Sequence, residues 1–246
     1  ESAASTISPP GLTGGSAGDS RAGLKASMRR GLTGPARPAP NGVMGVLSTE
    51  NRFVFIHVPK TAGQSLSRVL ATRGKRFGAC KALLESAGDR DGIQHPEHIR
   101  AREVAAFLGP KWDRFYTFAI VRNPWDRMVS LYHFIRQTPS HPQHALTCAQ
   151  TFSEFVDHPD RILKRTQSDW LEGEDGRLLV SEVVRYEELN EAYPRFMARC
   201  GFDTPPELPV TNASERGAYR SYFDRELARR VGEIYAEDVE RFGYSF

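Results

Sequence analysis

The stretch Arg52-Phe-Val-Phe-Ile-His-Val-Pro-Lys-Thr-Ala-Gly-Gln-Ser-Leu66 constrains this chain more than any other. Residues 53–58 form an apolar, β-rich run, which reads as a strand buried on both faces. Pro59 stops it. Lys60-Thr61-Ala62-Gly63 then makes a turn of mostly small residues, and Gln64-Ser65-Leu66 opens a helix. A strand feeding a Gly-containing turn and a helix N-terminus aims backbone N–H groups at one point, with the helix dipole behind them. That is an anion site suited to phosphate or sulfate.

The order of residues in the turn separates two chemistries. The usual ATP/GTP loop opens on a Gly and carries its Lys after a second Gly, followed by Ser or Thr. Here Lys60 precedes Gly63, no Gly opens the turn and no Lys-Ser or Lys-Thr pair follows. Standing alone, the turn could still be an ordinary strand-to-helix connection.

A second stretch, Arg122-Asn123-Pro124-Trp125-Asp126-Arg127-Met128-Val129-Ser130, follows an apolar run over 114–121 that reads as another buried strand. Asn123 suits an N-cap and Pro124 the first position of a helix reaching about residue 137. Arg122 thus falls at the carboxyl end of a strand, the edge where open α/β sheets bind ligands. Ser130 lies about two helical turns further on. A guanidinium fork and a hydroxyl suit a phosphate monoester. A structural salt bridge is the alternative for Arg122.

Charge and cysteine content exclude other classes. The chain has 246 residues and a formal net charge of +3. Residues 1–49 carry five basic and two acidic side chains, so the remainder balances at 28 of each. A balanced domain argues against nonspecific nucleic-acid binding, which needs a basic face. Cys80, Cys148 and Cys200 lack metal-ligand spacing and read as reduced thiols of a cytoplasmic protein. No apolar run is long enough to span a membrane.

Residues 1–49, rich in Ala, Gly, Ser, Thr and Pro, are expected to be disordered or loosely packed. Their Arg- and Ser-containing, acid-poor character also fits a transit peptide, whereas the start at Glu1 without Met fits a linker or a processed start. A domain over 50–246 follows. Within it, a helix is expected over 97–108, closed by Gly109-Pro110, and a Pro/His/Gln loop over 138–149. Thr151 and Glu154 make a capping box. Segments 167–171 and 178–185 flank Glu174-Asp175-Gly176 like the arms of a hairpin. A helix starts at Tyr186 and ends at Gly201, and a last helix covers 224–242. Two strand-turn-helix units point to an α/β fold with a P-loop-like central parallel sheet flanked by helices.

Together the motifs carry a resemblance. Pro59-Lys-Thr-Ala-Gly-Gln-Ser65 resembles the phosphosulfate loop of the sulfotransferase superfamily. Phe118-Ala-Ile-Val-Arg-Asn-Pro-Trp-Asp-Arg-Met-Val-Ser-Leu-Tyr132 is similar to its 3′-phosphate-binding element, especially in the carbohydrate (heparan/chondroitin-type) branch. The likeness extends over about residues 51–246, through Gln167-Ser-Asp, Arg185-Tyr-Glu-Glu-Leu189, Asn212-Ala-Ser and residues 235–244.

The resemblance implies 3′-phosphoadenosine 5′-phosphosulfate (PAPS) as donor, no required metal, and a small-molecule or glycan acceptor. It implies that Lys60, Thr61, Ala62, Gly63, Gln64 and Ser65 hold the 5′-phosphosulfate, with Lys60 acting on the leaving group. Arg122 and Ser130 would bind the 3′-phosphate. Tyr186 would lie near adenine, or be an ordinary core tyrosine, and Ser214 and Arg216 would belong to a loop over the nucleotide. His95 stands where that branch carries a catalytic His, and imidazole titrates near neutral pH. His98 and Glu103 are the other candidate bases. His57, inside the strand, reads as a buried, hydrogen-bonded residue. Arg136, Arg161, Lys164 and Arg165 with Trp170 could rim a pocket for an anionic sugar, or form a solvated helix face beside a core Trp. A nucleotide kinase and a non-catalytic nucleotide-binding module of the same fold are the rival readings. The first would need an acidic metal residue at a strand end and the second would lack a base.

Overall fold

The computed structural model describes residues 45–87, 99–158, 165–208 and 217–246. His95, His98, Arg161, Lys164, Ser214 and Arg216 lie outside them, as does nearly all of the 1–49 segment.

Five strands build the sheet: β1 (Val46–Ser48), β2 (Phe53–Ile56), β3 (Lys75–Arg76), β4 (Tyr116–Val121) and β5 (Glu182–Arg185), in the order β3-β1-β2-β4-β5. β2, β4 and β5 run parallel, while β1 is antiparallel to both its neighbours, β2 and β3. β1 corrects the boundary expected at residue 50. Composition averaged over 1–49 hides Val46 and Leu47, which are buried in the sheet.

Alternation along the central strands builds a core on each face. Val54, Ile56, Ala119 and Val121 point one way. Phe53, Phe55, Tyr116, Phe118 and Ile120 point the other. The second face is covered by α1 (Gly63–Leu70), through Leu66, Val69 and Leu70, and by a later helix carrying Tyr193, Phe196 and Met197. The first is covered by α2 (Lys81–Ala87), α3 (Ala101–Leu108) and α4 (Pro124–Arg136), through Leu83, Val104, Met128 and Ile135. Of the short helices, α5 (His144–Ala149) packs against α4, and α6 (Phe152–Asp157) and α7 (Gln167–Leu171) pack on that side. α8 (Leu189–Arg199) is the helix on the second face, and α9 (Arg225–Ile234) and α10 (Ala236–Arg241) return to the first.

Several expected boundaries move. β2 stops at Ile56, because its pairing with β4 ends there and the chain turns away through Val58. β4 starts at Tyr116, since 109–114 wind into a 3-10 turn after Gly109 (φ 53°). α3 begins at Ala101 rather than 97: Arg100 is extended, and the Glu103 carboxylate accepts its N–H at 2.6 Å. α5 occupies part of the expected 138–149 loop. The expected hairpin is a helix, α7, capped by Thr166, and one isolated bridge between Glu172 and Leu178. The helix expected over 224–242 is two, broken at Tyr235. The Asn123 cap and the Thr151–Glu154 capping box form as expected.

Candidate functional site

The carboxyl ends of β2, β4 and β5 release three segments at one edge of the sheet: the turn from His57, the start of α4 at Arg122, and Tyr186. The first turn is held by its carbonyls. Thr61, fully buried, donates its hydroxyl to the Val58 carbonyl at 2.8 Å. Arg127 Nε donates to the Pro59 carbonyl at 3.1 Å, and Arg122 Nη1 to the Lys60 carbonyl at 3.2 Å. Lys60 and Ala62 are both left-handed (φ 71° and 66°), a conformation that costs non-glycine residues about 1–2 kcal/mol each. Alternating hand with carbonyls tied back is how a chain turns successive N–H groups to one side. Ala62, the N-cap of α1, has no side chain able to cap it.

Gly63 is required by close approach. A Cβ there would sit 1.8 Å from His57 Cδ2 and 2.3 Å from its Nε2, so the imidazole packs directly under the helix start.

The second turn works through side chains. Arg122, only 8% exposed, places Nε at 2.8 Å and Nη2 at 2.7 Å from Asp126 Oδ2. The Tyr186 ring lies 4.3 Å from its guanidinium carbon. A guanidinium has five N–H donors, and the two contacts to Asp126 and the one to Lys60 use three of them among the described residues. Asp126, Ser130 and Phe134 recur every fourth residue and share one face of α4. At its far end the Lys60 ammonium rests 3.8 Å from the centre of the Phe134 ring. Ser130 is half-buried between, with no hydrogen bond of its hydroxyl among the described residues. The second motif therefore reaches the first at both ends of a short helical stripe.

The sequence profile of the sulfotransferase family matches residues 45–245, which takes in all five strands and both turns. The chain belongs to the sulfotransferase family. No curated protein and no solved structure matches it significantly.

This sulfotransferase positions its turns with residues that single motifs did not single out. Gln167, fully buried, accepts the Arg122 N–H on Oε1 and donates Nε2 to the Arg122 carbonyl, each at 2.8 Å. Asp238 on α10 accepts the Gln167 N–H at 2.7 Å. Asn123 donates its N–H to Glu187 at 2.8 Å and its side-chain amide to the Ser245 carbonyl at 3.1 Å. The run Gln167-Ser-Asp and the 235–244 segment were visible as part of the resemblance, but their partners lie 45 to 71 residues away.

Beside Pro59, Arg127 Nη1 donates to the Arg165 carbonyl at 3.2 Å, and Arg165 pairs with Asp169 at 2.6 Å. Arg102 and Arg100 approach the same carboxylate at 2.7 and 3.7 Å. Burial pushes the Asp169 carboxyl up, but Arg165 and Arg102 outweigh it and hold the group below its ordinary range. Glu103, a candidate base, is instead the cap and ion-pair partner of Arg100 at 2.8 Å. Arg136 donates to the Tyr132 hydroxyl and the Thr147 carbonyl.

Cys200 is buried, which pushes its thiol up to about 12, and burial also raises Cys80. A cleft of about 880 Å3 opens at the other end of the sheet, beside Asn51 and Phe115, which precede β2 and β4. It lies away from the two turns. Among the described residues no helix is long and apolar enough to cross a membrane, and no three potential ligands group as a metal site.

Proposed function

We propose that this sulfotransferase moves a sulfuryl group from PAPS to a hydroxyl or amine of a carbohydrate-type or other small acceptor. The observation that carries the donor half is the pinned turn. With the carbonyls of Val58, Pro59 and Lys60 all engaged, the site offers an anion N–H groups rather than carbonyl oxygens.

When bound, the donor supplies an activated sulfuryl group on a phosphate leaving group. The backbone from Lys60 through Thr61, Ala62, Gly63, Gln64 and Ser65 holds the phosphosulfate end. Lys60 adds an ammonium that offsets charge developing on the leaving oxygen. Arg122 turns its two remaining N–H donors, with the Ser130 hydroxyl, toward the 3′-phosphate. Tyr186 braces that guanidinium and borders the adenine, and Ser214 and Arg216 cover the nucleotide. His95 takes the acceptor proton, a role proposed from its place in the sequence. Positioning and electrostatics carry the rate, as in phosphoryl transfer.

Calorimetry without added metal tests the donor half. Adenosine 3′,5′-bisphosphate should bind far more tightly than ATP or AMP. Tighter, Mg2+-dependent binding of ATP would replace this reading with a nucleotide kinase. For the acceptor half, a screen of polyhydroxyl, amine and phenol acceptors with radiolabelled PAPS should show transfer. Donor binding with no transfer to any acceptor would leave a nucleotide-binding module.

A further inference from the structure

We propose that Gln167 and Asp238 are positioning residues for the donor site, an amide and a carboxylate that lock the main chain at Arg122 from the C-terminal helix α10. The inference rests on the donor reading above and extends it to residues outside both anion turns.

β4 ends at Val121, so the ladder with β5 supplies no partners at Arg122. Gln167 replaces them, closing two hydrogen bonds on that residue's own N–H and carbonyl. A side-chain amide that meets both main-chain groups of one residue fixes the peptide planes on either side of it. The direction in which the Arg122 side chain leaves the backbone is fixed with them.

Gln167 is itself held. Asp238 is fully buried; its Oδ2 accepts the Gln167 N–H at 2.7 Å, and its Oδ1 accepts the Ser168 N–H at 2.9 Å and hydroxyl at 3.0 Å. Burial pushes this carboxyl up, while the bond from Gln167 and the nearby Arg127 guanidinium favour its charge. Asp238 thus holds Gln167, and Gln167 holds the main chain at Arg122. An apolar residue at 238 would leave two buried main-chain N–H groups and a hydroxyl without a partner, so the carboxylate fixes the start of α7 as well as Gln167.

The test compares the affinities of adenosine 3′,5′-bisphosphate and AMP by calorimetry, since their ratio reports the 3′-phosphate contact. Gln167→Met should lower that ratio by about tenfold, the worth of a displaced charge-assisted contact. In an Arg122→Ala background the same substitution should change the ratio no further, the non-additivity expected of one coupled unit. Asp238→Asn should behave like Gln167→Met. Should either variant fail to fold, Ser168→Ala removes a single hydroxyl bond to Asp238 and should lower the ratio by about threefold. An unchanged ratio in a folded variant, or losses that add to those of Arg122→Ala, overturns the inference. A wild type that does not distinguish the two nucleotides overturns the donor reading, and the inference with it.

Discussion

The turn after β2 and the turn after β4 answer the same problem by opposite means. The first is built of main chain: small residues, two left-handed positions and carbonyls tied back by Thr61 within the turn and by Arg122 and Arg127 from α4 and its approach. The second is built of side chains: a nearly buried Arg122 squared against Asp126, Tyr186 and Gln167's amide frame. A main-chain site tolerates a change of side chain but not of shape. A side-chain site tolerates small movements of its frame but not loss of the one group that binds. The turns are also unequal partners, because Arg122 and Arg127 belong to the second and hold the carbonyls of the first.

The sharpest way to separate the two turns is Lys60→Ala, which deletes the single side chain the first contributes to chemistry. Single-turnover transfer should fall by about 10²–10³-fold, the range for removing one stabilising donor from a reacting site. Affinity for adenosine 3′,5′-bisphosphate should stay nearly constant; if affinity collapses as far as rate, Lys60 is a binding residue and the contrast fails.

Arg122→Ala should show the reverse pattern. Affinity for adenosine 3′,5′-bisphosphate should fall between about tenfold and a hundredfold, as for a lost charge-assisted contact. AMP affinity should fall much less, by only what release of the Lys60 carbonyl costs. Unfolding of this variant would mark the pair with Asp126 as purely structural.

Gly63→Ala tests shape. Overpacking against His57 should lower stability by about 1–3 kcal/mol, read from denaturant midpoints. His57→Ala in the same chain should restore part of the loss by making room. The smallest effect belongs to Thr61→Val, which removes the hydroxyl bond to Val58 and should cost about 1 kcal/mol. Its transfer rate should drop more than its stability suggests, because the turn's carbonyl is released.

The parts of this architecture that sequence discloses are those whose cause is local. The cap at Asn123, proline at the head of α4 and the order Lys-Thr-Ala-Gly each act over a few residues, and each stands where its pattern placed it. β1 escapes a sequence reading because three residues of strand vanish in a composition averaged over 49. α7 reads as a hairpin arm because Thr166 as cap and one buried turn leave a signal too short for periodicity. The clamp of Gln167 on Arg122, the carboxylate beneath it and the imidazole under Gly63 depend on contacts that only folding brings together. No local pattern encodes them, although Gly63 and Asp238 are plain in the text of the chain.

The anchoring at α10 has a bearing on how the protein is made. A ribosome delivers β2 and its turn early and Arg122 near the middle of the chain. Gln167 follows, but the carboxylate that fixes it and the Ser245 carbonyl that meets Asn123 are made 71 or more residues later. A nascent chain therefore carries both anion motifs long before it can hold them in register. Discrimination in favour of the 3′-phosphate should then sharpen only once α10 has left the ribosome and docked, after the turns themselves have formed.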